Sequence, residues 1–421
     1  MQKVLIVTYY WPPGSGAGVQ RWLKFSKYLA KLGWNPVILT VDPDFAVYPA
    51  IDQSLNDEIH ENVTVYKTRA RDYFRLYKKD KSKIPSAGFA VGEEKGFLSN
   101  FTRFIRGNFF IPDPRIGWNR YAFEKACEII ETQKIDRLIT TSPPHSTQLI
   151  GLRLKKRFPG IRWIADLRDP WTDIYYYEKF HPTFLSRRID GAYEKSVLKS
   201  ADKIITVGNS LKELFSSKIP GIGDKISVIS NGYDEEDFSG STASKPETFT
   251  ISYVGTLSGS YPVKGFLNAL KPLIEKGIKF RLRFTGAVPE EEKELIISAA
   301  GLSNTDFVPY SEHSKAVSNM LDSNALLLII PDHKSSGSII TGKLFEYLAS
   351  GKPVICLGPA DGDAAEIIKE TGHGKTFDYN DSEGISEYLL LLSSTPEVTE
   401  KVSPSVYSRE NLVKRVVELL Q

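Results

Sequence analysis

A lysine and a glutamate three residues apart, Lys343 and Glu346, lie near the start of a segment with helical periodicity. Thr341 and Gly342 come directly before them, and Gly351 ends the segment. The N-terminus of a helix with a lysine beside it favours a diphosphate, and a carboxylate one turn later could accept hydrogen bonds from a vicinal diol such as a ribose. The alternative is an ordinary Lys–Glu pair on an exposed helix.

A glycine-rich stretch, PPGSGAG at residues 12–18, separates an apolar, β-branched run at 3–8 from an amphipathic run that ends at Gly33. Because Gly16 and Gly18 carry no side chains, backbone N–H groups there could approach a ligand. The positive end of the following helix dipole would favour an anion, and phosphate is the first expectation. A tight strand-to-helix turn without a ligand is the other interpretation.

His145 stands in the sequence SPPHS after a strand-like run at 136–141, and Arg168 and Asp169 follow the next such run. Because neighbouring parallel strands end at one edge of a sheet, these side chains are expected on the same rim. The structural alternatives are a turn role for His145 and an internal Arg168–Asp169 pair that orders its loop.

The elements that position these residues alternate between strands and helices, a pattern typical of parallel α/β sheets. A polar stretch at 234–248 interrupts the alternation and is interpreted as a linker. We therefore expect two doubly wound domains with ligands at the carboxyl ends of the strands, in a cleft between the two halves. The predicted strands are residues 3–8, 36–41, 63–67, 136–141, 161–165, 203–207, 226–230, 248–254, 279–285, 305–308, 325–330 and 353–357.

Length and composition set the broad class of protein. The chain has 421 residues, of which 41% are hydrophobic and 25% charged, as in soluble proteins of two ordinary domains. A net charge of +3 does not favour nucleic acid as a partner, and two distant cysteines, Cys127 and Cys356, predict neither a disulfide framework nor a thiolate metal site. The N-terminus is typical of a strand rather than a signal peptide, and the longest purely apolar run, 325–330, is too short to span a bilayer. We expect a cytoplasmic protein.

Positive charge is concentrated between residues 67 and 120, where 13 Lys and Arg stand against 5 Asp and Glu. Residues 97–110 predict an amphipathic helix that could lie on an anionic membrane surface, here the inner face of the plasma membrane. The alternative is a helical hairpin packed on the first domain. The predicted apolar side contains Leu98, Phe101, Ile105 and Phe109, which Phe104 can join, with Arg103 and Arg106 off it.

Four stretches of the sequence resemble, in order, the motifs of retaining GT-B glycosyltransferases of family 4. They are YYWPPGSGAGVQR at 9–21, VISNGYD at 228–234, YVGTLSG at 253–259 and TGKLFEYLASGKPVI at 341–355. A fifth, 142–171, resembles the bacterial surface-polysaccharide enzymes. The resemblance covers nearly the whole chain and implies two Rossmann-like domains that face each other across a cleft. It implies an acceptor-side domain at 1–235, a nucleotide-sugar-binding domain at 236–404, and a final helix at 405–421 that returns to the first.

Donor-site roles follow from the resemblance one residue at a time. Glu346 matches the second glutamate of the family's E-x7-E motif, which holds the ribose, whereas Ser338 replaces the first glutamate. The family's phosphate-binding G-R-L and K-G motifs correspond to Gly255-Thr256-Leu257 and Lys264-Gly265, so the arginine is missing. Lys343 remains the principal cation for the diphosphate, with Lys264 and Arg21 as further candidates. The predicted donor-binding set is Gly16, Gly18, Gly255, Thr256, Lys264, Ser338, Thr341, Gly342, Lys343 and Glu346.

The resemblance also implies a reaction. His145 matches the family's active-site histidine and forms the predicted catalytic set with Arg168 and Asp169. Retaining transfer needs no in-line protein base if the leaving diphosphate helps take the acceptor proton, so the protein must stabilise that diphosphate and an oxocarbenium-like sugar. The expected enzyme is hexosyltransferase-like and needs neither metal nor cofactor; the DGD sequence at 361–363 is not assigned a metal.

The expected donor is a UDP-sugar, with a GDP-sugar as the alternative, and the expected acceptor is a glycan or a lipid-linked glycan in cell-surface polysaccharide synthesis. Two other functions stay open from the sequence. One is a nucleotide-sugar epimerase or hydrolase of the same fold. The other is a non-catalytic nucleotide-sugar-binding subunit, for which Ser338 and Thr256 are the arguments.

Overall fold

The computed structural model describes residues 2–48, 50–71, 97–239, 246–258, 261–309, 312–394 and 404–421. The chain divides into two compact units. The first comprises Met1–Ser230 and Arg409–Gln421, and the second comprises Asn231–Ser408. These boundaries lie a few residues from the expected ones at 235/236 and 404/405.

Each unit is built on one parallel sheet within the described ranges. The first has seven strands in the order β3-β2-β1-β4-β5-β6-β7, and the second has six in the order β10-β9-β8-β11-β12-β13. The order reverses between β1 and β4 and between β8 and β11, where ligands of doubly wound sheets bind. The strands are β1 (Gln2–Val7), β2 (Trp34–Val41), β3 (Thr64–Thr68), β4 (Arg137–Ser142), β5 (Arg162–Leu167), β6 (Lys203–Thr206), β7 (Ile226–Val228), β8 (Phe249–Val254), β9 (Phe280–Thr285), β10 (Thr305–Val308), β11 (Ala325–Ile329), β12 (Val354–Leu357) and β13 (Gly374–Phe377).

Helices follow most strands and cover the sheets, as the alternation predicts. Those of the described ranges are α1 (Ala17–Lys31), α2 (Phe97–Phe109), α3 (Asn119–Gln133), α4 (Ser146–Arg157), α5 (Phe184–Ser200), α6 (Asn209–Lys218), α7 (Lys264–Asn268), α8 (Lys271–Glu275), α9 (Glu290–Ala300), α10 (His313–Leu321), α11 (Gly342–Ala349), α12 (Asp363–Thr371), α13 (Ser382–Ser394) and α14 (Arg409–Leu420). Within these ranges, no helix is both long and apolar enough to cross a bilayer.

The core of the first unit forms where apolar strands are covered on both faces. The side chains from Val4 to Val7 on β1 are fully buried, and Trp22 of α1 packs in the same cluster. The register of β1 pairs Leu5 with Leu138 of β4, so both strands end at the same edge of the sheet. The loops after β1 and β4 therefore emerge side by side.

The last helix, α14, packs against the first unit. Its apolar residues Leu412 and Val416 are buried, and Leu419 O accepts a 2.9 Å hydrogen bond from Arg162 Nε of β5. Arg415 Nη2 donates to Val228 O of β7 at 2.8 Å. These contacts place the last helix in the first unit.

The start of the polar stretch interpreted as a linker belongs to the second unit. The boundary falls at Ser230, and residue Tyr233, just before the stretch, is buried in the second unit against Phe238. The backbone N–H of Tyr233 also donates to Tyr407 O at 3.1 Å. These contacts anchor the described first part of the stretch to the second unit.

Candidate functional site

His145 lies at the carboxyl end of β4, directly before α4, where the sequence predicted it. Asp113 fixes this turn from outside, since its carboxylate accepts hydrogen bonds from Ser146 N and Ser146 Oγ, both at 2.8 Å. The carboxylate thus supplies the N-terminal cap that the His145 side chain does not provide. The imidazole is left available for other contacts.

The His145 ring stacks on Trp171, with ring centroids 4.9 Å apart and an interplanar angle of 15°. Burial lowers the pKa of His145 to about 3, with the charges of Lys218 and Arg168 acting in the same direction. The buried Nδ1 atom has no hydrogen-bond partner within the described chain. His145 is therefore a neutral imidazole at physiological pH, suited to donate or accept one hydrogen bond but not to supply positive charge.

Asp190 of α5 holds the edge of the Trp171 ring. Trp171 Nε1 donates to Asp190 Oδ1 at 2.7 Å, and Tyr177 donates a further hydrogen bond to this carboxylate. Burial raises the pKa of Asp190 to about 6. Sequence reasoning missed this arrangement, because Asp190 lies in a separate helix and reaches Trp171 only in the folded protein.

A pocket in the first unit opens beside His145. It is small, with a cavity volume of about 70 Å³, so it has room for one compact group rather than a whole ligand. Aromatic residues and prolines make most of its wall, and two arginines and two aspartates contribute charge. The lining includes Tyr10, Arg106, Asp113, Arg115, His145 and Tyr176.

Arg168 and Asp169 follow β5, the neighbour of β4 in the sheet. Arg168 Nε donates to Ser142 O at 2.9 Å and so ties the end of β5 to the end of β4. Burial raises the pKa of Asp169, although the charge of Arg168 acts to lower it. The structure thus gives Arg168 an ordering role, and direct substrate contact by either residue stays a prediction.

The glycine-rich loop lies on the same edge of the sheet. Gly16 stands at the N-cap position of α1 with φ 98°, a conformation that favours glycine, and its carbonyl accepts from Val19 N at 3.0 Å. A Cβ at Gly18 would lie 3.5 Å from the Tyr10 ring, and Tyr10 lines the pocket beside His145. The loop and the His145 pocket are neighbours, while an anion at the loop stays a prediction.

Arg21 does not serve as a diphosphate cation, which corrects that expectation. Its side chain is fully buried and donates to Asp166 Oδ1 at 3.1 Å and to Ser230 O at 2.6 Å. Asp166 also accepts from Trp22 Nε1 at 2.7 Å. The arginine is committed to the interior, where it links α1 to β5 and to the loop after β7.

In the second unit, Lys343 at the start of α11 lies against the loop after β8. Its Nζ donates to Tyr253 Oη at 2.7 Å and lies 4.2 Å from the centre of that ring. Burial lowers the pKa of Lys343 to about 8, although Glu346 acts to raise it. A desolvated ammonium held by a phenol binds an anion more strongly than a solvated one does.

The backbone conformation of residue 255 and the position of the Lys343 side chain both favour glycine there. The residue has φ +124°, and a Cβ there would lie 2.6 Å from Lys343 Cε. Tyr253 Oη also donates to Thr256 O at 2.8 Å, which fixes the loop beneath the ammonium. The structure thus brings together Gly255, Thr256 and Lys343 of the predicted donor set.

The N-terminus of α11 lies directly beside Lys343 and offers a second group that can bind an anion. Thr341 occupies the N-cap position but its side chain makes no capping hydrogen bond, and its buried Oγ1 has no partner in the described chain. Gly342 begins the helix beside it, and a Cβ there would meet open space. An unsatisfied hydroxyl and a positive helix end next to Lys343 fit an anionic group.

Ser338 and Lys264 are placed differently from this cluster. Ser338 Oγ donates to Ser335 O at 2.9 Å, so its hydroxyl already serves its own turn. Lys264 is exposed at the start of α7. Its charge acts to lower the pKa of Glu292, although burial of Glu292 has the larger effect and raises that pKa. No contact within the described ranges joins either residue to Lys343.

Two family models match consecutive parts of the chain. Residues 84–237 match the model described as Glycosyltransferase Family 4, and residues 234–409 match Glycosyl transferases group 1. The first covers the His145 region and the second the Lys343 region. The chain is a glycosyltransferase of the GT-B type. No curated protein matches its sequence significantly.

Solved structures share the fold of this glycosyltransferase at low identity. A glycosyltransferase from Rickettsia africae ESF-5 is 15% identical with a TM-score of 0.59, covering 100% of this chain and 94% of that one. HepE from Anabaena in complex with UDP is 11% identical with a TM-score of 0.60, covering 100% and 99%. A TarM mutant from S. aureus, in complex with fondaparinux, alpha-GlcNAc-glycerol and UDP, is 10% identical with a TM-score of 0.59, covering 100% of both chains.

The glycosyltransferase shows no cluster of three or more metal-ligating side chains among its described residues. In the DGD sequence, Asp363 is buried at the start of α12, whereas Asp361 is exposed. The two carboxylates thus stand in different environments. Asp361 lies in the loop after β12, and Asp363 begins α12.

Proposed function

We propose that the protein is a retaining, metal-independent glycosyltransferase that uses a UDP-sugar and acts on a lipid-linked or other glycan in cell-surface polysaccharide synthesis. The observation that carries the proposal is the cluster of Lys343, Tyr253 and Gly255 beside the uncapped N-terminus of α11. One desolvated ammonium and one helix end can together stabilise much of the negative charge of a diphosphate without a cation from solution.

The nucleoside would be held next to this diphosphate. Glu346 lies close enough to Lys343 to raise its pKa and stands one turn further along α11. At that place its carboxylate can accept two hydrogen bonds from a ribose diol. UDP is preferred as the nucleotide because two of the similar structures, HepE and TarM, are complexes with UDP.

The transfer step would leave proton movement to the substrate itself. The bond between the anomeric carbon and the diphosphate oxygen breaks, and the acceptor oxygen bonds to the same face of that carbon. The acceptor proton passes to the departing diphosphate, whose charge Lys343 stabilises. His145, neutral and stacked on Trp171, would hydrogen-bond the reacting sugar or the acceptor hydroxyl.

The acceptor would approach from a membrane. Phe101, Phe104 and Phe109 of α2, together with Phe184 and Leu185 of α5, are exposed and form what we call the aromatic surface. Asn108 holds the two segments together, because its Oδ1 accepts from Thr183 N at 2.7 Å and Ser186 Oγ at 2.6 Å. Exposed aromatic rings near basic residues suit an anionic lipid surface, and a cytoplasmic enzyme on the inner face of the plasma membrane follows.

A nucleotide-release assay tests the proposal. The full chain is incubated with UDP-glucose, UDP-galactose, UDP-N-acetylglucosamine and GDP-mannose, with and without a membrane extract as the source of acceptor. We expect slow release of UDP that the extract accelerates, no change with a chelator, and a product whose anomeric configuration matches the donor by NMR. Inversion, or inhibition by the chelator, would contradict the corresponding part of the mechanism.

The same assay separates the two alternatives. An epimerase or hydrolase would turn over the UDP-sugar fully without an acceptor, and a binding subunit would bind it without turnover under any condition. We prefer transfer because both family models that match the chain describe glycosyltransferases.

A further inference from the structure

Two arginines line the pocket beside His145 from neighbouring segments, one in the middle of α2 and one in the turn that follows it. Arg106 lies 4.3 Å over the Phe180 ring, and Arg115 is buried in the turn at Pro114–Trp118. Burial lowers the pKa of Arg106 to about 10, and the charge of Arg115 is the next cause. Both remain protonated at neutral pH, so two positive charges face one pocket.

The carboxylates around Arg106 form no ion pair with it. No Asp or Glu of the described chain lies at ion-pair distance from its guanidinium, whereas the buried Arg21 and Lys24 each have such a partner. The nearby carboxylate of Asp113 acts to raise the pKa of Arg106, but its hydrogen bonds are with Ser146 and the backbone of Arg115. Asp190 accepts from Trp171 and Tyr177. The guanidinium is therefore stacked and desolvated with no carboxylate bound to it directly, so an anionic ligand can form the ion pair that the protein does not.

Neutral donors complete the lining. Tyr10 and Tyr176 face the same pocket, and burial raises the pKa of Tyr176 far above neutral pH, so its phenol keeps its proton. A guanidinium fork and phenolic O–H groups offer more donors than the two oxygens of a carboxylate can accept. The three or four terminal oxygens of a phosphate match this set.

We propose that this pocket binds a phosphate group carried by the acceptor, with Arg106 as its principal contact. The inference rests on the proposed function, because only in a transferase is a pocket beside His145 an acceptor site. It names the acceptor class as a phosphorylated molecule, either an isoprenoid phosphate or a soluble sugar phosphate. The aromatic surface on the same α2 helix gives an isoprenoid chain an apolar path away from the pocket.

Calorimetry on the full chain tests the site without turnover. The probes are citronellyl phosphate, citronellol, glucose 1-phosphate and glucose. We expect each phosphate to bind at least about tenfold more tightly than its neutral alcohol, since charge-assisted bonds are about twice as strong as neutral ones. Tighter binding of citronellyl phosphate than glucose 1-phosphate assigns the lipid source, and the reverse order assigns the soluble one. Equal affinity for phosphates and alcohols would overturn the proposal.

Variants identify the contact. Arg106→Met should lower citronellyl phosphate affinity about tenfold or more, and Arg106→Lys should restore part of it, since an ammonium keeps the charge but not the fork. Arg153→Met is the matched control, because Arg153 also stacks on a ring, Phe123 at 4.0 Å, outside the pocket. If folded Arg106→Met binds the probe as the parent does, the site is wrong. Should that variant not fold, the comparison of phosphate with alcohol on the parent protein still decides.

UDP titrated into the same samples separates this inference from the proposed function. Arg106→Met should bind UDP like the parent, because Lys343 and Thr341 stand in the other unit. Loss of UDP affinity in folded Arg106→Met would mean that the pocket takes the donor diphosphate, and the acceptor assignment would fail. A parent protein that binds citronellyl phosphate but no UDP would refute the donor site and leave the phosphate pocket in place.

Discussion

His145 of the first unit and Lys343 of the second are both partly buried, and desolvation lowers the pKa of both, yet the chemical results are opposite. His145, with a pKa of about 3, is neutral at every physiological pH. Lys343, with a pKa of about 8, is mostly protonated at neutral pH, and an anion bound beside it would raise that pKa and complete its protonation. The first unit presents an uncharged hydrogen-bonding ring, and the second presents a cation that an anion completes.

The partners of the two residues explain this difference. Lys218 and Arg168 add positive charge around His145, which further disfavours the imidazolium, whereas Glu346 next to Lys343 favours the ammonium. His145 also stacks on Trp171, and Lys343 donates to Tyr253. This difference supports the proposal that the second unit binds the diphosphate and the first orients the reacting groups.

The largest expected effect is on donor binding. Lys343→Ala and Glu346→Ala each remove a charge-assisted hydrogen bond, worth about 1.5–3 kcal/mol, so UDP affinity measured by calorimetry should fall by about tenfold or more. Lys369→Ala, an exposed lysine in the last turn of α12, is the control and should leave the affinity unchanged. If both variants bind UDP, GDP and ADP ligands like the parent, the donor site has been misplaced.

The second prediction tests the other side of the comparison. His145→Ala should leave UDP affinity nearly unchanged and reduce turnover at least tenfold, which is about 1.4 kcal/mol of barrier. His60→Ala is the matched control, since His60 precedes β3 at the opposite edge of the first sheet. Parent-like turnover of His145→Ala in the nucleotide-release assay would return His145 to the role of a turn residue.

Sequence patterns predicted most of the fold because the strands are apolar runs bounded by turn residues. β13 (Gly374–Phe377) was missed since an edge strand reading GKTF has no apolar run. The positions of Lys343 and His145 at helix N-termini could be predicted from the order of strand, turn and helix patterns along the chain. Their contacts with Tyr253 and Trp171 could not, because these residues belong to other segments and come close only when the sheet folds.

The amphipathic helix at 97–110 shows the same limit of local patterns. A helix forms at Phe97–Phe109, and the predicted apolar rings Phe101 and Phe109 lie on its exposed part. Arg106, expected to lie off the apolar side toward lipid, instead packs on Phe180 and lines the pocket. Periodicity separates the faces of a helix but does not say which face the rest of the protein covers. Most of the remaining basic segment, 72–96, lies outside the described residues.

The third prediction concerns pH and uses the opposite behaviour of the two groups. As pH rises from about 7 to about 9, Lys343 loses its proton in the free protein, so UDP affinity should fall by at most about tenfold. Lys343→Arg keeps its charge and should show a flat profile over the same range. His145 should contribute no change, since its pKa lies far below. A flat profile in the parent would show that Lys343 is not the diphosphate cation.

The free energy of unfolding of the ligand-free protein should rise with pH, whereas UDP affinity falls. The folded pKa of Lys343, about 8, is below its ordinary value of 10.5, so the unfolded chain binds more protons between these pH values. The contribution of Lys343 to the free energy of unfolding therefore rises with pH in that window. Urea denaturation of both proteins measures it: the free energy of unfolding of the parent minus that of Lys343→Met should rise with pH in this window, and a fall would contradict the assignment.

The smallest expected effect concerns the aromatic surface, which only the first unit carries. Co-sedimentation with vesicles of phosphatidylglycerol and phosphatidylcholine at low salt should recover the parent protein with the lipid, and binding should weaken as salt screens the charges. Phe104→Ser and Phe184→Ser should each reduce the bound fraction a few-fold, because Phe184 is 77% exposed and its ring is free to enter the lipid interface. Leu302→Ser is the control, an equally exposed apolar residue of the second unit. Arg106 is left unchanged in this experiment, since a loss caused by its substitution would report on the phosphate pocket instead. Equal recovery of parent and phenylalanine variants, with or without phosphatidylglycerol, would make the aromatic surface a scaffold and leave a soluble acceptor as the substrate of the first unit.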